Sequence, residues 1–585
     1  MARSVQKRQH ELSIIRDTVE SVWVAIILAF VLRAFMLEAF VIPTGSMAPR
    51  LMGEHYDLVC QACGYEYSYG WQPAKSNVRV PRREKVSPKG ASCPSCTYRF
   101  HTTKAYINGG DRVLVMKYLY RFIEPRPFDV VVFRNPQSNA NNYIKRLIGL
   151  PGETIEIVHG DVYVIPAQDD ETKPKPEPGI RRKPDRAQAV MWQIVCDNDY
   201  RPDMNKLKED GMGLDKPRRW EPTGPNGTAQ NNSWEETNDG RAFTFKGSDE
   251  YNYLTFKGVR AIGASKSSMR EAFIPRYGYN SEHRRTHIDS TIDLCGDLKL
   301  SFVIKPGPDK AAAECMLKGM WFSFRAVFDT DGGVTVFRKP REQTDNAGTT
   351  LPDTDADGWE VWARAKTQQM ASGVGRSVEL AHVDHSVKIW VDGGKVIDKN
   401  YTVALKDLKE RLSRAINTPR KAPLPVPAAR IGASGGRLDI AHLKLMRDVY
   451  YTNFELGRSD HESQKFLTDY ADDLPIDRRR AWGVKDNPIT LKKNKKSKGE
   501  DPDLDEFFVL GDNSPQSLDS RGWIEAAPSL RLYDSNNKPQ YKLGTVPRYN
   551  MIGKAMFVYW PSGYRLPMLP GLPIIPDVGR MRLIR

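Results

Sequence analysis

One long apolar segment near the start of the chain is followed by short runs in which apolar and polar residues alternate. From Val22 to Leu32 the sequence is unbroken apolar, and apolar residues continue to position 42 with two charged interruptions. A helix needs about 20 mainly apolar residues to cross the hydrocarbon core of a bilayer. The pattern therefore predicts a transmembrane helix over residues 19–42.

The charges that flank this segment predict its orientation. Basic residues precede it at positions 3, 7, 8 and 16, and few follow it directly. Positive charge favours the cytoplasmic side of a membrane helix, so residues 1–18 are expected in the cytoplasm and the later residues outside it. A cleaved signal peptide is the alternative, although no small-x-small cleavage site follows the segment directly. The sequence thus predicts a single-pass protein of the cell (inner) membrane.

The alternating runs after this segment predict a mainly β protein. Residues 143–148 alternate and end at a Gly-Leu-Pro-Gly turn, which is typical of a strand. Similar runs occupy residues 297–304, 321–328, 334–337, 377–380, 387–392 and 438–445. The sequence Asp392-Gly393-Gly394 predicts a hairpin turn. Many short strands separated by turns indicate a β-sandwich over about residues 280–450, on which residues 190–260 are expected to pack.

Composition narrows the class of protein. The chain has 585 residues, of which 40% are hydrophobic and 27% charged, and this excludes a wholly disordered chain and a polytopic membrane protein. The net charge of +15 is spread along the chain, so it indicates a solvated basic surface and no nucleic-acid partner. Seven cysteines are too few for a disulfide scaffold in a chain of this length.

Four cysteines form two pairs with metal-ligand spacing. They are Cys60 and Cys63, then Cys93 and Cys96. Two CxxC turns of this kind predict a zinc ribbon over residues 60–103 with a structural zinc ion and no catalytic cofactor. A pair of disulfides is the alternative, because the segment is expected outside the cytoplasm. The remaining cysteines, Cys196, Cys295 and Cys315, are interpreted as buried thiols.

Two residues about a hundred positions apart are candidates for catalytic chemistry. Ser46 lies between Gly45 and Met47-Ala48-Pro49, which predicts a constrained turn. Lys145 lies in the apolar strand 143–148, where burial would favour its neutral form. A neutral lysine can take the proton of a serine hydroxyl and so activate it as a nucleophile. Either residue alone is an ordinary loop serine or strand lysine.

Four stretches in order resemble bacterial type I signal peptidases, the membrane-bound serine proteases that remove signal peptides. They are the GSMAP turn, the GDRVLV strand from Gly110, the YIKRLIGLPGE strand from Tyr143, and a GDN…SxDSR loop from Gly511. Residues 546–547 and 552–555 resemble the strand that closes that fold. The family usually has an arginine where this loop reads Ser514-Pro515-Gln516, which leaves the salt bridging of the loop open.

The resemblance implies a role for each matching residue. Ser46 would be the nucleophile and Lys145 the general base. The oxyanion would be held by the Ser46 N–H and the Thr44 hydroxyl. Ser517 would hydrogen-bond the Lys145 amine and orient it.

Three further residues would support this site. Asp519 and Arg521 would form a structural ion pair beneath it, and Arg146 is the usual neighbour of the base.

The implied substrates are exported precursor proteins, whose signal peptides would be cut at the outer face of the lipid bilayer through an acyl-enzyme. A catalytically silent, membrane-tethered binding protein that uses the sandwich is the alternative. A self-cleaving repressor-type protease shares the dyad but is soluble and binds DNA, which the anchor contradicts.

The resemblance also divides the chain. After residues 1–18 and the anchor, the expected parts are a catalytic domain of residues 43–59, 104–166 and 503–565, the ribbon insert 60–103, a large insert 167–502 and a tail 566–585. The sandwich in the large insert resembles laminin-G or concanavalin-like jelly rolls. Such folds often bind carbohydrate, so a carbohydrate or protein ligand and an inert structural insert both stay open.

Overall fold

The structure is a computed structural model. It describes residues 16–28, 30, 36–71, 85–88, 90–99, 104–138, 141–167, 174, 176–203, 214–216, 219–224, 232–258, 260–261, 273–280, 292–341, 358–417, 424–453, 481–494, 501–523, 526–530, 540–562 and 576–585. Residues 1–15 of the expected cytoplasmic segment, residues 29 and 31–35 of the expected anchor and residues 566–575 of the tail lie outside these ranges.

The start of the expected anchor is helical, whereas its end is a β-strand. Residues 16–28 and 30 are helical, and apolar side chains such as Trp23 and Phe30 are exposed on that helix. Within the described ranges, no helix is both long and apolar enough to cross a membrane. The expected boundary at residue 42 is wrong, because Leu37–Val41 pair antiparallel with Arg112–Met116. A short apolar run satisfies its backbone groups equally well in a sheet, and here the neighbouring strand is available.

Strands dominate the rest of the structure, as the sequence predicts. The first ten are β1 Leu37–Val41, β2 His55–Val59, β3 Glu66–Gly70, β4 Lys85–Val86, β5 Ala105–Tyr106, β6 Arg112–Met116, β7 Val130–Arg134, β8 Asn142–Gly149, β9 Thr154–Val158 and β10 Asp161–Ile165. The next eight are β11 Gly179–Ile180, β12 Gln193–Asp197, β13 Leu214–Lys216, β14 Arg219–Thr223, β15 Trp234–Thr237, β16 Ala242–Phe245, β17 Ser248–Lys257 and β18 Arg260–Ala261.

The remaining strands complete the large insert and the C-terminal part. They are β19 Leu298–Pro306, β20 Ala311–Lys318, β21 Phe322–Asp329, β22 Gly333–Pro340, β23 Glu360–Lys366, β24 Arg376–Val383, β25 Ser386–Val391, β26 Gly394–Asn400, β27 Ala428–Gly435, β28 Leu438–Arg447, β29 Ile489–Thr490, β30 Glu506–Leu510, β31 Val546–Pro547, β32 Met551–Trp560 and β33 Arg582–Leu583. The α-helices besides the N-terminal one are Leu119–Phe122, Asp185–Met191 and Leu405–Asn417. Single 3-10 turns occupy Pro502–Leu504, Ser514–Gln516, Ser520–Gly522, Pro528–Leu530, Arg548–Asn550 and Val578–Arg580.

The candidate catalytic residues lie on a sheet assembled from both ends of the chain. Its strands run in the order β1-β6-β32-β7-β8-β30-β31, with β33 beside β32. Successive residues of a strand face opposite sides. Val130 and Val132 accordingly pack in one core cluster, while Val131 and Phe133 pack in another. Because both faces are covered, β8 and β30 lie in the interior.

A second sheet connects this domain to the large insert. It has the order β11-β10-β9-β29. The helix Leu405–Asn417 belongs to the insert, and its residues Leu408 and Leu412 pack with Val158 and Tyr163 at the β9–β10 hairpin. The insert therefore packs on the catalytic portion through buried apolar contacts.

Two large antiparallel sheets of the insert pack face to face as a sandwich. One has the order β15-β16-β28-β19-β24-β25-β26 with β12 beside β28, and the other has the order β14-β17-β27-β20-β21-β22-β23. Their inner faces form one cluster of buried residues. The sandwich begins at Gln193, earlier than residue 280, because Trp220 and Trp234 belong to its own strands. The predicted hairpin turn is confirmed, with positive φ at Asp392 and Gly393 between β25 and β26.

Candidate active site

The side chains of Ser46 and Lys145 meet in the interior of the sheet domain. Ser46 lies in a turn after β1, and Lys145 lies on β8 opposite Val131 of β7. The Lys145 Nζ donates a hydrogen bond of 2.6 Å to the Ser46 Oγ. Both residues are buried, with 4% of the surface of Lys145 and 8% of that of Ser46 exposed. A hydroxyl and an amine at this distance can exchange a proton directly.

Burial prepares the Lys145 amine to act as a base. It lowers the pKa of Lys145 from 10.5 to about 8, against the opposing charges of Asp519 and Asp512. The two aspartates are engaged elsewhere, in ion pairs with Arg521 and Arg146. A substantial fraction of the amine is consequently neutral near pH 8.

The loop after β30 holds the serine turn from one side. Asn513 donates its backbone N–H to the Ser46 carbonyl at 3.0 Å and its side-chain amide to the Gly45 carbonyl at 2.9 Å. A Cβ atom on Gly511 would lie 2.6 Å from the Ser46 carbonyl oxygen and 2.1 Å from the Ser517 Oγ. The loop can approach the turn this closely only because residue 511 is glycine.

Asp111 holds the chain that leaves the serine turn. Its carboxylate accepts the Met52 N–H at 3.0 Å, and its backbone exchanges further hydrogen bonds with Met52 and Ile42. A Cβ atom on Gly110 would lie 1.7 Å from the Ile42 carbonyl oxygen. The Gly-Asp pair at the start of β6 is therefore required for this close contact.

A fully buried ion pair supports the loop. Arg521 donates two hydrogen bonds of 2.8 Å to the Asp519 carboxylate, and neither side chain is exposed. Asp519 also accepts the Gly511 N–H at 3.0 Å. Ser514, at the departure from the family pattern, accepts hydrogen bonds from Arg521 at 2.8 Å and from the Thr452 N–H at 2.9 Å. The altered loop thus contains a paired arginine, and Ser514 bonds to Thr452, which follows the last strand of the sandwich.

Arg146, the neighbour of the base, makes the second buried ion pair. It binds the Asp512 carboxylate through two hydrogen bonds of 2.6 and 2.7 Å and donates to the Phe128 carbonyl at 2.8 Å. This arrangement fixes β8 against the loop after β30, so that Lys145 points at the serine turn.

The comparison with known families agrees with this geometry. Residues 95–209 and 432–560 match the family described as signal peptidase, peptidase S26. The two ranges cover less than half of the chain, and the match confirms the resemblance drawn from the sequence. Most strands of the sheet that carries Lys145 lie within the matched ranges. This sheet domain is called the S26 domain below, and the site of Ser46 and Lys145 is called the S26 site. The matched ranges contain Lys145 and the loop from Gly511, whereas Ser46 precedes them, so the position of Ser46 in the S26 domain rests on the contacts above.

Curated relatives in the family are similar over a limited length. The chain is 30% identical over 140 residues to signal peptidase I of Buchnera aphidicola subsp. Baizongia pistaciae, covering 24% of this chain and 31% of that protein. It is 30% identical over 139 residues to signal peptidase I of Rickettsia prowazekii, covering 24% and 39%. The chain thus spans about a third of the length of these two relatives.

Among solved structures, a carbohydrate-binding module CBM66 from Bacillus subtilis matches with a TM-score of 0.21 and 12% identity. The match covers 38% of this chain and 94% of that one.

Ser517 lacks its expected bond in the structure, and the expected contact of Thr44 is with a substrate. The Ser517 hydroxyl is buried and has no hydrogen-bond partner in the part of the chain that the structure describes. It therefore makes no bond to the Lys145 amine, although it lies over Gly511 beside the serine turn. Thr44 is exposed two residues before Ser46. The roles of both residues stay predictions.

A segment of the large insert covers the S26 site, which the sequence did not indicate. The side-chain amides of Asn280 and Asn513 exchange two hydrogen bonds. Tyr279 is buried with Ala48 and Met52, and its ring occupies the space beside Gly45. The insert therefore touches the serine turn directly. The stretch 273–280 matches none of the family motifs, and the contacts span more than two hundred residues of sequence.

The four cysteines of the predicted ribbon converge beside the S26 domain. All four sulfur atoms lie within 4.8 Å of one another, and Cys60–Cys96 and Cys63–Cys93 are 3.6 and 3.7 Å apart. A disulfide bond would require about 2.05 Å. Zn–S bonds of about 2.3 Å in a tetrahedron place the sulfur atoms about 3.8 Å apart, so the cluster fits a zinc ion.

The two cysteine turns also match each other in backbone hydrogen bonding. Gly64 donates to the Cys60 carbonyl at 2.8 Å, and Thr97 donates to the Cys93 carbonyl at 2.9 Å. Gly64 and Thr97 both have positive φ, which turns the chain tightly after each pair. The matching turns direct both pairs of thiol groups at one point.

Proposed function

We propose that the chain is a serine endopeptidase of the signal peptidase I type that removes signal peptides from exported precursor proteins. The observation that carries this proposal is the 2.6 Å contact between the Lys145 Nζ and the Ser46 Oγ. The match to the S26 family model supports it, and so do the bonds that Asn513 makes to the serine turn. Lys145 is the base in this proposal because its pKa of about 8 leaves it partly neutral.

The proposed reaction has two steps, acylation of Ser46 and hydrolysis of the resulting ester. The neutral Lys145 amine takes the proton of the Ser46 hydroxyl while the oxygen attacks the scissile carbonyl carbon. The Ser46 N–H and the Thr44 hydroxyl donate to the oxyanion, and Lys145 then passes its proton to the departing amine. A water molecule attacks the resulting ester, with Lys145 again accepting and returning one proton. The products are the mature protein and the free signal peptide.

The N-terminal helix is proposed to anchor the domain at the outer face of the cell membrane. Val22, Trp23, Val24, Ile27, Leu28 and Phe30 are all exposed on it. A contiguous exposed apolar surface of this kind indicates contact with lipid or another apolar partner. A signal peptide carries its own apolar segment in the bilayer, so an anchored enzyme would meet the cleavage site at the membrane surface.

The cysteine cluster is proposed to bind one structural zinc ion. Four thiolates complete a tetrahedral shell, and this leaves no open position for water. Zinc would tie the β2–β3 and β4–β5 hairpins together and take no part in peptide hydrolysis. The bonds between Cys60, Cys93 and their neighbours in the two turns support this assignment.

The test is cleavage of a precursor by the full-length protein in detergent micelles or vesicles. Ser46→Ala and Lys145→Met should abolish cleavage, while Ser68→Ala and Lys305→Met, which alter a hydroxyl and an exposed amine elsewhere, should retain it. A serine-directed acylating probe should label the wild-type chain at Ser46 alone. Cleavage by the Ser46→Ala protein would contradict the assignment of Ser46 as the nucleophile. A wild-type protein that neither cleaves nor is labelled would favour the silent binding protein.

A further inference from the structure

A second group of acidic side chains converges far along the chain from the serine turn. Asp161 begins β10, Asp297 precedes β19, and Asp384 lies in the turn between β24 and β25. Their carboxylate oxygens lie within 4.8 Å of one another. The group thus joins the β9–β10 hairpin of the S26 domain to two strands of the sandwich.

Negative charge exceeds positive charge at this junction. The Asp448 carboxylate lies on the far side of Lys183, whose amine contacts Asp384 and, at 2.8 Å, Asp448. The Arg182 guanidinium is near, although it donates to backbone carbonyl groups, at 3.0 and 3.1 Å. Four carboxylates therefore face one paired amine and one guanidinium. Buried charge is costly unless it is paired or coordinates a metal ion.

Two histidines lie beside the carboxylates. His382 contacts the Gly296 carbonyl at 3.0 Å and the Tyr401 hydroxyl at 2.7 Å, one through each ring nitrogen. Because both nitrogens are engaged, His382 offers no free ligand atom to a metal ion. The His385 Nε2 atom lies 4.0 Å from the Asp161 carboxylate. The ligand atoms that remain at the junction are carboxylate oxygens.

A cavity and an unpartnered hydroxyl adjoin the carboxylates. The cavity has a volume of about 30 Å³ and is lined by Asp161, Asp297 and His385, among others. That volume is enough for an ion or a water molecule. Tyr163 is 1% exposed, and its hydroxyl has no partner within the described ranges. Tyr163 follows Asp161 by two residues on β10, so the two side chains lie on the same face of the sheet. The Tyr163 ring packs against His385, which lines the cavity, with 6.2 Å between the ring centroids.

We propose that Asp161, Asp297 and Asp384 bind a calcium ion that fastens the large insert to the β9–β10 hairpin. Oxygen ligands select calcium or magnesium over the transition metals, and both ring nitrogens of His382 are already engaged. Calcium accepts irregular shells of oxygen at about 2.3 to 2.6 Å, which places its ligands up to about 5 Å apart. The observed spread of up to 4.8 Å fits that shell. Magnesium requires shorter and more regular distances.

Terbium luminescence tests the site without reference to catalysis. Tb³⁺ replaces Ca²⁺ at oxygen sites, and Trp321 and Tyr401 line the cavity, so excitation of the protein should produce terbium emission that Ca²⁺ quenches. Asp297→Asn and Asp161→Asn keep the shape of each side chain and remove its charge. Each should lower the apparent Ca²⁺ affinity by about tenfold or more. Asp331→Asn, in an exposed turn of the sandwich, is the matched control and should leave the affinity unchanged.

Thermal unfolding gives the second measurement. Ca²⁺ in excess should raise the melting temperature of the wild-type and Asp331→Asn proteins, because a ligand that binds only the folded state stabilises it. The rise should be absent in Asp297→Asn, whose folding is checked by circular dichroism. The proposal is overturned if no Ca²⁺ binds at millimolar concentration, or if binding persists undiminished in both asparagine variants. The Ca²⁺-dependent rise is read on Ser46→Ala protein as well, so failure of the proposed peptidase activity would leave this result unaffected.

Discussion

Asn280 of the large insert and Asn513 of the S26 domain exchange two side-chain hydrogen bonds, of 2.7 and 2.8 Å. Asn513 uses its backbone and its amide to hold the Ser46 and Gly45 carbonyls. Asn280 therefore contacts the turn of Ser46, the proposed nucleophile, through a single intermediate residue. The insert thus helps to hold the serine turn, although it lies outside the family motifs.

Asn280→Ala should slow precursor cleavage and leave substrate binding nearly unchanged. The amide of Asn513 would lose the two hydrogen bonds that it shares with Asn280, which costs about 1 to 3 kcal/mol at a buried site. We expect kcat to fall by about tenfold, because a small displacement of the nucleophile lowers the reaction rate strongly. Steady-state kinetics on a precursor gives the separate kcat and KM values.

The control for this prediction is Asn252→Ala. Asn252 is a buried asparagine whose amide bonds lie within the sandwich, to Ser233 and Glu250. Its replacement should lower the melting temperature without changing kcat at temperatures where the protein is folded. Equal loss of kcat in both variants would show that the insert affects the site only through general stability.

The pH dependence of cleavage should report the Lys145 amine. Burial lowers the pKa of Lys145 to about 8, so the rate should rise with pH to a plateau above that value. The lowered pKa of Lys145 also determines how the free energy of unfolding depends on pH. The folded state binds the proton less tightly than the unfolded state, so Lys145 lowers the free energy of unfolding below pH 8, by about 3 kcal/mol. The free energy of unfolding therefore increases as pH rises from about 8 to 10.5, where the lysine of the unfolded state also loses its proton.

Lys145→Met tests whether the pH dependence of stability arises from Lys145, as the pH dependence of the rate is expected to do. Its free energy of unfolding should lack the rise between pH 8 and 10.5, and it should exceed that of the wild type at pH 7. Denaturant titrations at several pH values measure this difference. A rising limb of the cleavage rate centred near 10.5 in the wild type would contradict a buried neutral base.

Ser517→Ala tests whether the unpartnered hydroxyl serves catalysis. The hydroxyl makes no hydrogen bond in the described part of the chain, so its removal should leave the melting temperature unchanged or slightly higher. If it orients the Lys145 amine during turnover, kcat should still fall by about tenfold and the rising limb of the pH profile should shift. Ser517→Thr, which keeps a hydroxyl, should recover part of the rate. Full activity in Ser517→Ala would assign the hydroxyl no role.

The pairing of Ser46 with Lys145 was predicted from the ordered motifs that resemble type I signal peptidases, because either residue alone is an ordinary loop serine or strand lysine. The same resemblance implied the ion pair of Asp519 and Arg521, which the structure contains. Apolar periodicity also predicted the strands, since a period of two follows from backbone geometry alone.

Two kinds of structural feature could not be predicted from the sequence. The short run Leu37–Val41 is as apolar as the helix before it, and only the presence of β6 decides that it forms a strand. The contacts of Asn280 and Asp161 depend on how the insert packs on the S26 domain. No local pattern records a contact between residues hundreds of positions apart.

Asp519→Asn should be among the most destabilising single changes in the S26 domain. It would leave the buried guanidinium of Arg521 without its counter-charge, and breaking a buried pair in this way costs about 3 to 5 kcal/mol. Differential scanning measures the loss. Glu360→Gln is the control, because its pair with Arg338 is more than half exposed on the glutamate side and should contribute less than about 1 kcal/mol. A similar small effect in both variants would mean that Arg521 finds enough partners in Ser514 and Thr452.

The cysteine cluster gives a prediction that distinguishes zinc from disulfides. Protein purified without added chelator should contain one zinc ion per chain, and all four thiols should react with a thiol reagent only after the metal is removed. Cys63→Ser should lose most of the zinc, because three thiolates and a hydroxyl bind it less tightly. Cys315→Ala, which removes a thiol buried in the sandwich, should keep one ion per chain. A metal-free protein with four unreactive cysteines would favour disulfides, since the sulfur atoms need to move only from about 3.7 Å to about 2.05 Å to form them.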